Sequence, residues 1–363
     1  MAKRGKKETR FVIWELDSSF TLDNIIKNLS LDYNIEIDYL KDINIGKNDK
    51  TLNNGWIPAG GKKGYEKKVV QVAGEKISYV HAQGYYEKSV GKDRAIINNG
   101  TILPRNFRIF NRSVDAIFFD LSNKIYVVVA VSISEENRVR SILFGQGRGT
   151  KKKEEWKKVN YTNVMQFKFD SKFFYWLLSK KGTVFNAPND PNYKINLSDV
   201  SAVAQLTDKE EYDSKSQGSN VLGSLPALSG LGSNQSVYEA GFTFKLPNME
   251  ISLRIADDST CYINLDDSRY IKQNGEWVDI NQEYATVIMS LYSIVLLNLK
   301  LYYNLECNNK NWTSVDEEQQ RKNWALFVIR ELCNENNINL NDIMKTFGVK
   351  LKVKEKSIST SLK

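Results

Sequence analysis

His81 is the only histidine among 363 residues. Catalysis by Ser-His-Asp or Cys-His therefore has one residue through which to run, and metal sites built from several histidines are excluded. His81 stands in ISYVHAQGYY (77–86), an alternating strand pattern that reads as a structural position. The carboxylates that could do chemistry are Asp115 and Asp120 in SVDAIFFDL, and the pairs Asp257–Asp258 and Asp266–Asp267 at either end of TCYIN. If the two pairs met across a sheet they would suit a divalent cation, and a metal-dependent enzyme is the alternative they carry. Their setting between short apolar runs reads instead as turns. Cys261, Cys307 and Cys333 are far apart and odd in number, so neither a zinc site nor a disulfide framework is expected. No catalytic residue, metal or cofactor is assigned.

The stretch SVDAIFFDLSNKIYVVVAVS (113–132) resembles, in outline, the hairpin of PD-(D/E)xK nucleases. That hairpin sets an acid on one strand and an acid and a lysine, two apart, on the next, to hold metal and position water. Asp115 or Asp120 matches the first acid. Ala130 and Ser132 stand where the glutamate and lysine belong. The resemblance covers these 20 residues and implies a degenerate or atypical nuclease, unable to bind metal in the usual way. A nucleotide cradle is also disfavoured. GQGRGTKKK lacks the ending of a phosphate-binding loop, and Glu135 and Glu136 open the preceding helix, where they would repel a phosphate.

Basic segments interleaved with aromatics recur through the first half. They comprise Lys3, Arg4, Lys6 and Lys7; Lys62 and Lys63 near Tyr65; Arg105 and Arg108 beside Phe107 and Phe110; and Arg148, Lys151, Lys152, Lys153, Lys157 and Lys158 around Trp156. Glycines in these loops let backbone approach a phosphate chain, the cations neutralise it, and the Trp156 indole is expected to stack on a base. Residues 1–182 hold 33 Lys and Arg against 20 Asp and Glu, whereas residues 183–363 hold 18 against 23. This asymmetry, within a net charge of +8, points to a polyanionic partner for the first half. The expected function is non-enzymatic, largely sequence-independent binding of DNA or RNA. The remaining alternative is an interaction subunit that binds an acidic protein. Abundant Lys, Asn and Ile fit an AT-rich genome, hence an expectation of bacterial defence or of a phage or mobile element.

The elements that must position these residues read as α+β. RFVIWEL (10–16) opens as a strand, and Leu22, Ile25, Ile26 and Leu29 share one helical face. KIYVVVA is apolar at almost every position, so it is expected at the centre of a sheet covered on both faces. Residues 46–68 read as a long loop and MQFKFD (165–170) as a strand. Ser132/Glu135 and Ser314/Glu317 have the spacing of capping boxes, and Asp170 suits an N-cap. The uncharged apolar run 284–299 is 16 residues long, shorter than the ~20 that cross a bilayer, and reads as a buried helix. Two domains are expected: a basic α+β domain over 1–212 and a domain of antiparallel strands followed by helices over 237–363. A Ser/Gly-rich linker over 213–236 would join them. The C-terminal helices are read as a packing or homo-oligomerisation element. No membrane association is expected, and the compartment is expected to be cytoplasmic.

Overall fold

The structure, a computed structural model, describes residues 8–97, 100–146, 154–162, 164–187, 190–207, 213–272 and 274–347. It is a mixed α+β fold around one large antiparallel sheet. The central strand is β1 (Glu8–Leu16). On one side it pairs with β6 (Lys124–Ala130), and β6 continues through β5 (Ile109–Leu121) and β4 (Glu75–Ser89) to β2 (Gly55–Pro58). On its other side, β1 pairs with β13 (Cys261–Asn264) through residues 8–11, and with β7 (Val159–Asn160) through residues 15–16. From β13 the sheet runs through β12 (Met249–Ala256), β11 (Ser236–Leu246) and β9 (Asp190–Leu206) to β8 (Val184–Ala187). Further strands pair with members of this path. They are β3 (Lys68–Val72) on β4, β10 (Asp213–Gln217) on β9, and β14 (Arg269–Ile271) with β15 (Trp277–Asp279) beside β12.

Alternation along the strands feeds two apolar layers. Phe11, Ile13, Tyr126 and Val128 face one, and Val12, Trp14, Val127 and Val129 face the other. The expectation for KIYVVVA therefore holds: both faces of β6 are covered. The first layer is closed by α3 (Ser171–Ser179), α4 (Leu225–Gly232) and the long C-terminal helices. The second is closed by α1 (Leu22–Leu29) and α2 (Ile133–Leu143), together with Phe144 and Trp156.

Several local expectations need correction. Residues 213–236 are not a free linker: they form β10 and α4, and Ala227, Leu228 and Leu231 are buried. Their leucines outweigh the flexible composition once a sheet face is offered. Strands from before and after this segment belong to one sheet. The loop expected over 46–68 contains β2, and 165–167 is a single 3-10 turn rather than a strand. Ser132 makes no side-chain cap; Glu135 is drawn to the Tyr86 hydroxyl, which donates to it at 3.0 Å. The second capping box is real but lies one residue earlier, between Thr313 and Asp316. Asp170 caps α3 as expected, accepting from the Phe173 amide at 2.8 Å.

The apolar run lies in a helix, Ile280–Asn308, long and apolar enough to cross a membrane. Here it serves as a core helix, with Val287 to Met289, Leu291, Tyr292 and Ile294 to Leu296 in the first layer. It comprises α5 (Tyr284–Ser290), a π-helical turn (Leu291–Val295) and α6 (Leu296–Asn308). Next, α7 (Ser314–Glu335) buries Trp324 and Val328 and leaves Val315, Leu326 and Ile329 exposed. The last described element is α8 (Leu340–Phe347).

Candidate nucleic-acid interface

The site is built on α1. Thr21 caps it by accepting from the Asn24 amide at 3.3 Å, and Leu22, Ile25 and Leu29 are buried against the sheet. Two lysine-bearing loops are fastened to its flanks. On one flank runs the loop before β3, where Gly60 (φ 74°) and Gly61 (φ 69°) take a left-handed turn that favours glycine. The Tyr65 hydroxyl donates to the Leu29 carbonyl at 3.1 Å, and Lys67 reaches the Asp23 carboxylate at 3.0 Å. Within this loop Lys62 pairs with Glu66 at 2.5 Å, while Lys63 is exposed.

On the other flank lies 154–158. Asn28 of α1 donates to the Glu155 carbonyl at 2.7 Å. The Trp156 indole donates to the Tyr33 hydroxyl at 2.7 Å, and that hydroxyl donates to the Asn28 carbonyl at 2.9 Å. Burial pushes the Tyr33 phenol well above its ordinary range, so it stays a neutral donor. Lys157 adopts a left-handed backbone (φ 45°) and donates to Ser19 at 2.6 Å. Ser19 in turn donates to Asp17 at 2.6 Å, and this bond, more than the nearby Lys157 charge, holds the Asp17 carboxyl below its usual range. Gln146 donates to the Lys157 carbonyl at 2.7 Å. This bond joins Gln146 to the segment 154–158.

The described residues of α1 and these two loops carry Lys27, Lys62, Lys63, Lys67, Lys157 and Lys158 against Asp23, Glu66 and Glu155, with Asp17 and Asp32 in the segments that flank α1. Lys27, Lys63 and Lys158 are exposed and have no ion-pair partner among the described residues. Arg148, Lys151, Lys152 and Lys153 lie outside the described residues. So do Lys3, Arg4, Lys6 and Lys7.

Three expected contact residues are committed elsewhere. Trp156 is fully buried, packed on Phe144 at 4.9 Å and stacked on Phe118 at 5.9 Å, so it offers no face to a base. Arg108 is 1% exposed and donates to the Leu103 carbonyl at 3.1 Å and to the Asp49 carbonyl at 2.6 Å. Arg105 pairs with Glu87 and donates to the Thr51 carbonyl at 2.9 Å. Both arginines staple the 47–52 segment to the sheet. What sequence reasoning missed is Lys27. It is a single lysine with no run around it, and only its place on α1 brings it between the two loops.

The carboxylate candidates do not assemble. The hairpin register sets Asp115 directly opposite Ala130 and Gln83, and its nearest basic neighbour is His81 at 3.7 Å. His81 itself stacks on Tyr284, with ring centroids 5.6 Å apart. Strand β13 runs between Asp257–Asp258 and Asp266–Asp267 and keeps the pairs at opposite ends, which removes the shared cation site. Asn264 accepts from the amides of Asp266 and Asp267 at 3.1 and 3.2 Å, so this pair is indeed a turn. Among the described residues no three His, Cys, Asp or Glu are grouped to hold a metal. At the start of α2, Glu136 pairs with Arg10 at 2.8 Å and Glu135 with Arg138 at 3.1 Å. That helix start is already neutralised from within. No family model matches the chain, and no curated protein matches it in sequence.

Proposed function

We propose that this chain binds nucleic acid without enzymatic turnover, gripping the phosphate backbone with the lysine face around α1. The observation that carries the reading is the fastening of two separate lysine loops to opposite flanks of one helix. The loops bearing Lys63 and Lys158, 95 positions apart in sequence, are thereby both joined to α1. Fixed loops hold cations at set separations, which favours a polymer of phosphates over scattered counterions. Lysines are point charges without bidentate geometry, so the grip has no means of reading base edges. DNA and RNA fit this chemistry equally.

The test is anisotropy of labelled single- and double-stranded DNA and RNA across a salt series. It compares the native chain with a Lys27→Ala, Lys63→Ala, Lys158→Ala variant. The slope of log affinity against log salt should shrink by up to about 0.9 for each duplex phosphate contact removed. An unchanged slope, or no binding to any of the four at low salt, would defeat the proposal.

A further inference from the structure

Two exposed aromatic rings stand near α2, on the side of the sheet that α1 covers. Tyr86 of β4 and Val114, Ala116 and Phe118 of β5 face the second apolar layer. The register sets Tyr86 opposite Arg112 and Lys88 opposite Phe110, so alternation carries Lys88, Phe110 and Arg112 to that same side. Phe110 is 47% exposed there. Lys88 and Arg112 are exposed and have no ion-pair partner among the described residues, and Arg112 donates to the neighbouring Asn111 carbonyl at 3.3 Å. Burial works against ionisation of Glu135 beside them. The bonds from Tyr86 and Arg138 and the Arg138 and Lys88 charges outweigh it and hold that carboxyl below its usual range. Arg140 follows Arg138 by two positions, about 200° around the helix. Its guanidinium lies 4.0 Å from the centre of the Tyr161 ring, and Tyr161 is 41% exposed. Gln146 ties this second ring to the lysine face: its amide donates to the Arg140 carbonyl at 2.8 Å and its side chain to the Lys157 carbonyl at 2.7 Å. Across this surface Arg10, Lys88, Arg112, Arg138 and Arg140 stand against Glu135 and Glu136, which leaves a positive excess beside both rings.

We propose that the nucleic acid is single-stranded and that its unpaired bases stack on Phe110 and Tyr161, an inference that rests on the nucleic-acid reading of the lysine face and adds the form of the polymer. A duplex hides its base faces inside the stack, whereas a single strand offers them to exposed rings. Lys88 and Arg112 beside Phe110, and Lys157 and Lys158 near Tyr161, are the complement of the phosphates between those bases. Stacking accepts any base, in keeping with a lysine grip that reads no base edges.

The experiment titrates the full chain, by anisotropy at fixed salt, with three labelled probes of equal phosphate count: a thymidine strand, its abasic counterpart and a blunt duplex. The strand should bind roughly fivefold or more tighter than the abasic chain. Phe110→Ala and Tyr161→Ala should each weaken the strand roughly 5- to 150-fold and leave the abasic chain and the duplex within about twofold. The salt slope should stay unchanged, because no phosphate contact is removed. Phe110→Tyr and Tyr161→Phe should keep native affinity, which separates loss of a ring face from loss of fold, itself checked by circular dichroism. A strand bound no tighter than its abasic counterpart, or alanine variants that weaken all three probes alike, would overturn this inference and leave the lysine face standing. Absence of binding to every probe at low salt would remove both.

Discussion

Replacing Trp156 with leucine separates two roles that the sequence leaves equivalent. A base-stacking indole contributes about 1–3 kcal/mol of affinity, so its loss should weaken binding roughly 5- to 150-fold and spare stability. The structure requires the reverse. Trp156 is fully buried among Phe20, Phe118 and Phe144, and its indole N–H donates to Tyr33. Truncating a buried aromatic to alanine costs about 3–5 kcal/mol, and leucine recovers part of the lost contact. The broken bond to Tyr33 adds about 1 kcal/mol. A net loss of about 2–4 kcal/mol is expected, a large fraction of a typical stability of roughly 5–15 kcal/mol. Urea unfolding followed by far-ultraviolet dichroism measures it as a lower midpoint at unchanged slope. Anisotropy on the variant below its unfolding transition should give a loss of affinity below about fivefold, because the Asn28–Glu155 bond still joins the loop to α1. A variant of native stability that loses tenfold or more in affinity would contradict the buried placement, because the indole would then have to lie on the surface.

The remaining predictions concern the cysteines and the cap of α7. Cys261 is fully buried and its thiol is pushed up to about 12, chiefly by burial, whereas Cys307 and Cys333 are half-buried. Iodoacetamide at pH 8 should therefore modify Cys307 and Cys333 in the native protein, and Cys261 only after unfolding. Mass spectrometry of the labelled peptides would read this, and native labelling of Cys261 would contradict the core assignment. Asp316 accepts from the Thr313 hydroxyl and amide at 2.6 and 2.8 Å, and the hydroxyl bond above all holds its carboxyl below the ordinary range. A folded pKa below the unfolded one means the cap stabilises fully above the unfolded value and is lost as pH falls through the folded one. Asp316→Ala should thus lower Tm at neutral pH, and the two proteins should converge as pH drops from about 5 toward about 3. A gap that persists at the acid end would mean the carboxylate does not form the cap.

Much of the local architecture was legible because it rests on neighbours in sequence. The consecutive apolar residues of KIYVVVA can be buried only on two faces, and Asp170 caps α3 through bonds within three residues. Asn274–Gly275, a dipeptide that favours hairpin turns, falls between β14 and β15, with Gly275 at φ 82°. What was hidden depends on partners far along the chain. Glu8 opposes Asn264 across β1 and β13, a pairing with no local signature that joins the two halves into one sheet. Arg105 and Arg108 read as surface cations because Glu87, Asp49 and the carbonyls that hold them come from remote segments. A tryptophan among lysines has the same sequence pattern whether it stacks on a base or anchors a loop, and only the pocket of Phe20, Phe118 and Phe144 decides. For the candidate interface, the lysine loops at 62–63 and 157–158 could be named from sequence. Their convergence on α1 could not, since it depends on hydrogen bonds from Tyr65 and Asn28.

In the proposed binding mode these two loops and α1 form one face for a single ligand. Lysine acetylation footprinting with and without a saturating oligonucleotide, read by peptide mass spectrometry, addresses it residue by residue. Joint protection of Lys27, Lys63 and Lys158 is expected, with exposed Lys92 and Lys245, on other elements, labelled as in the free protein. Protection of Lys63 without Lys158, or of Lys92 and Lys245 in place of all three, would contradict it.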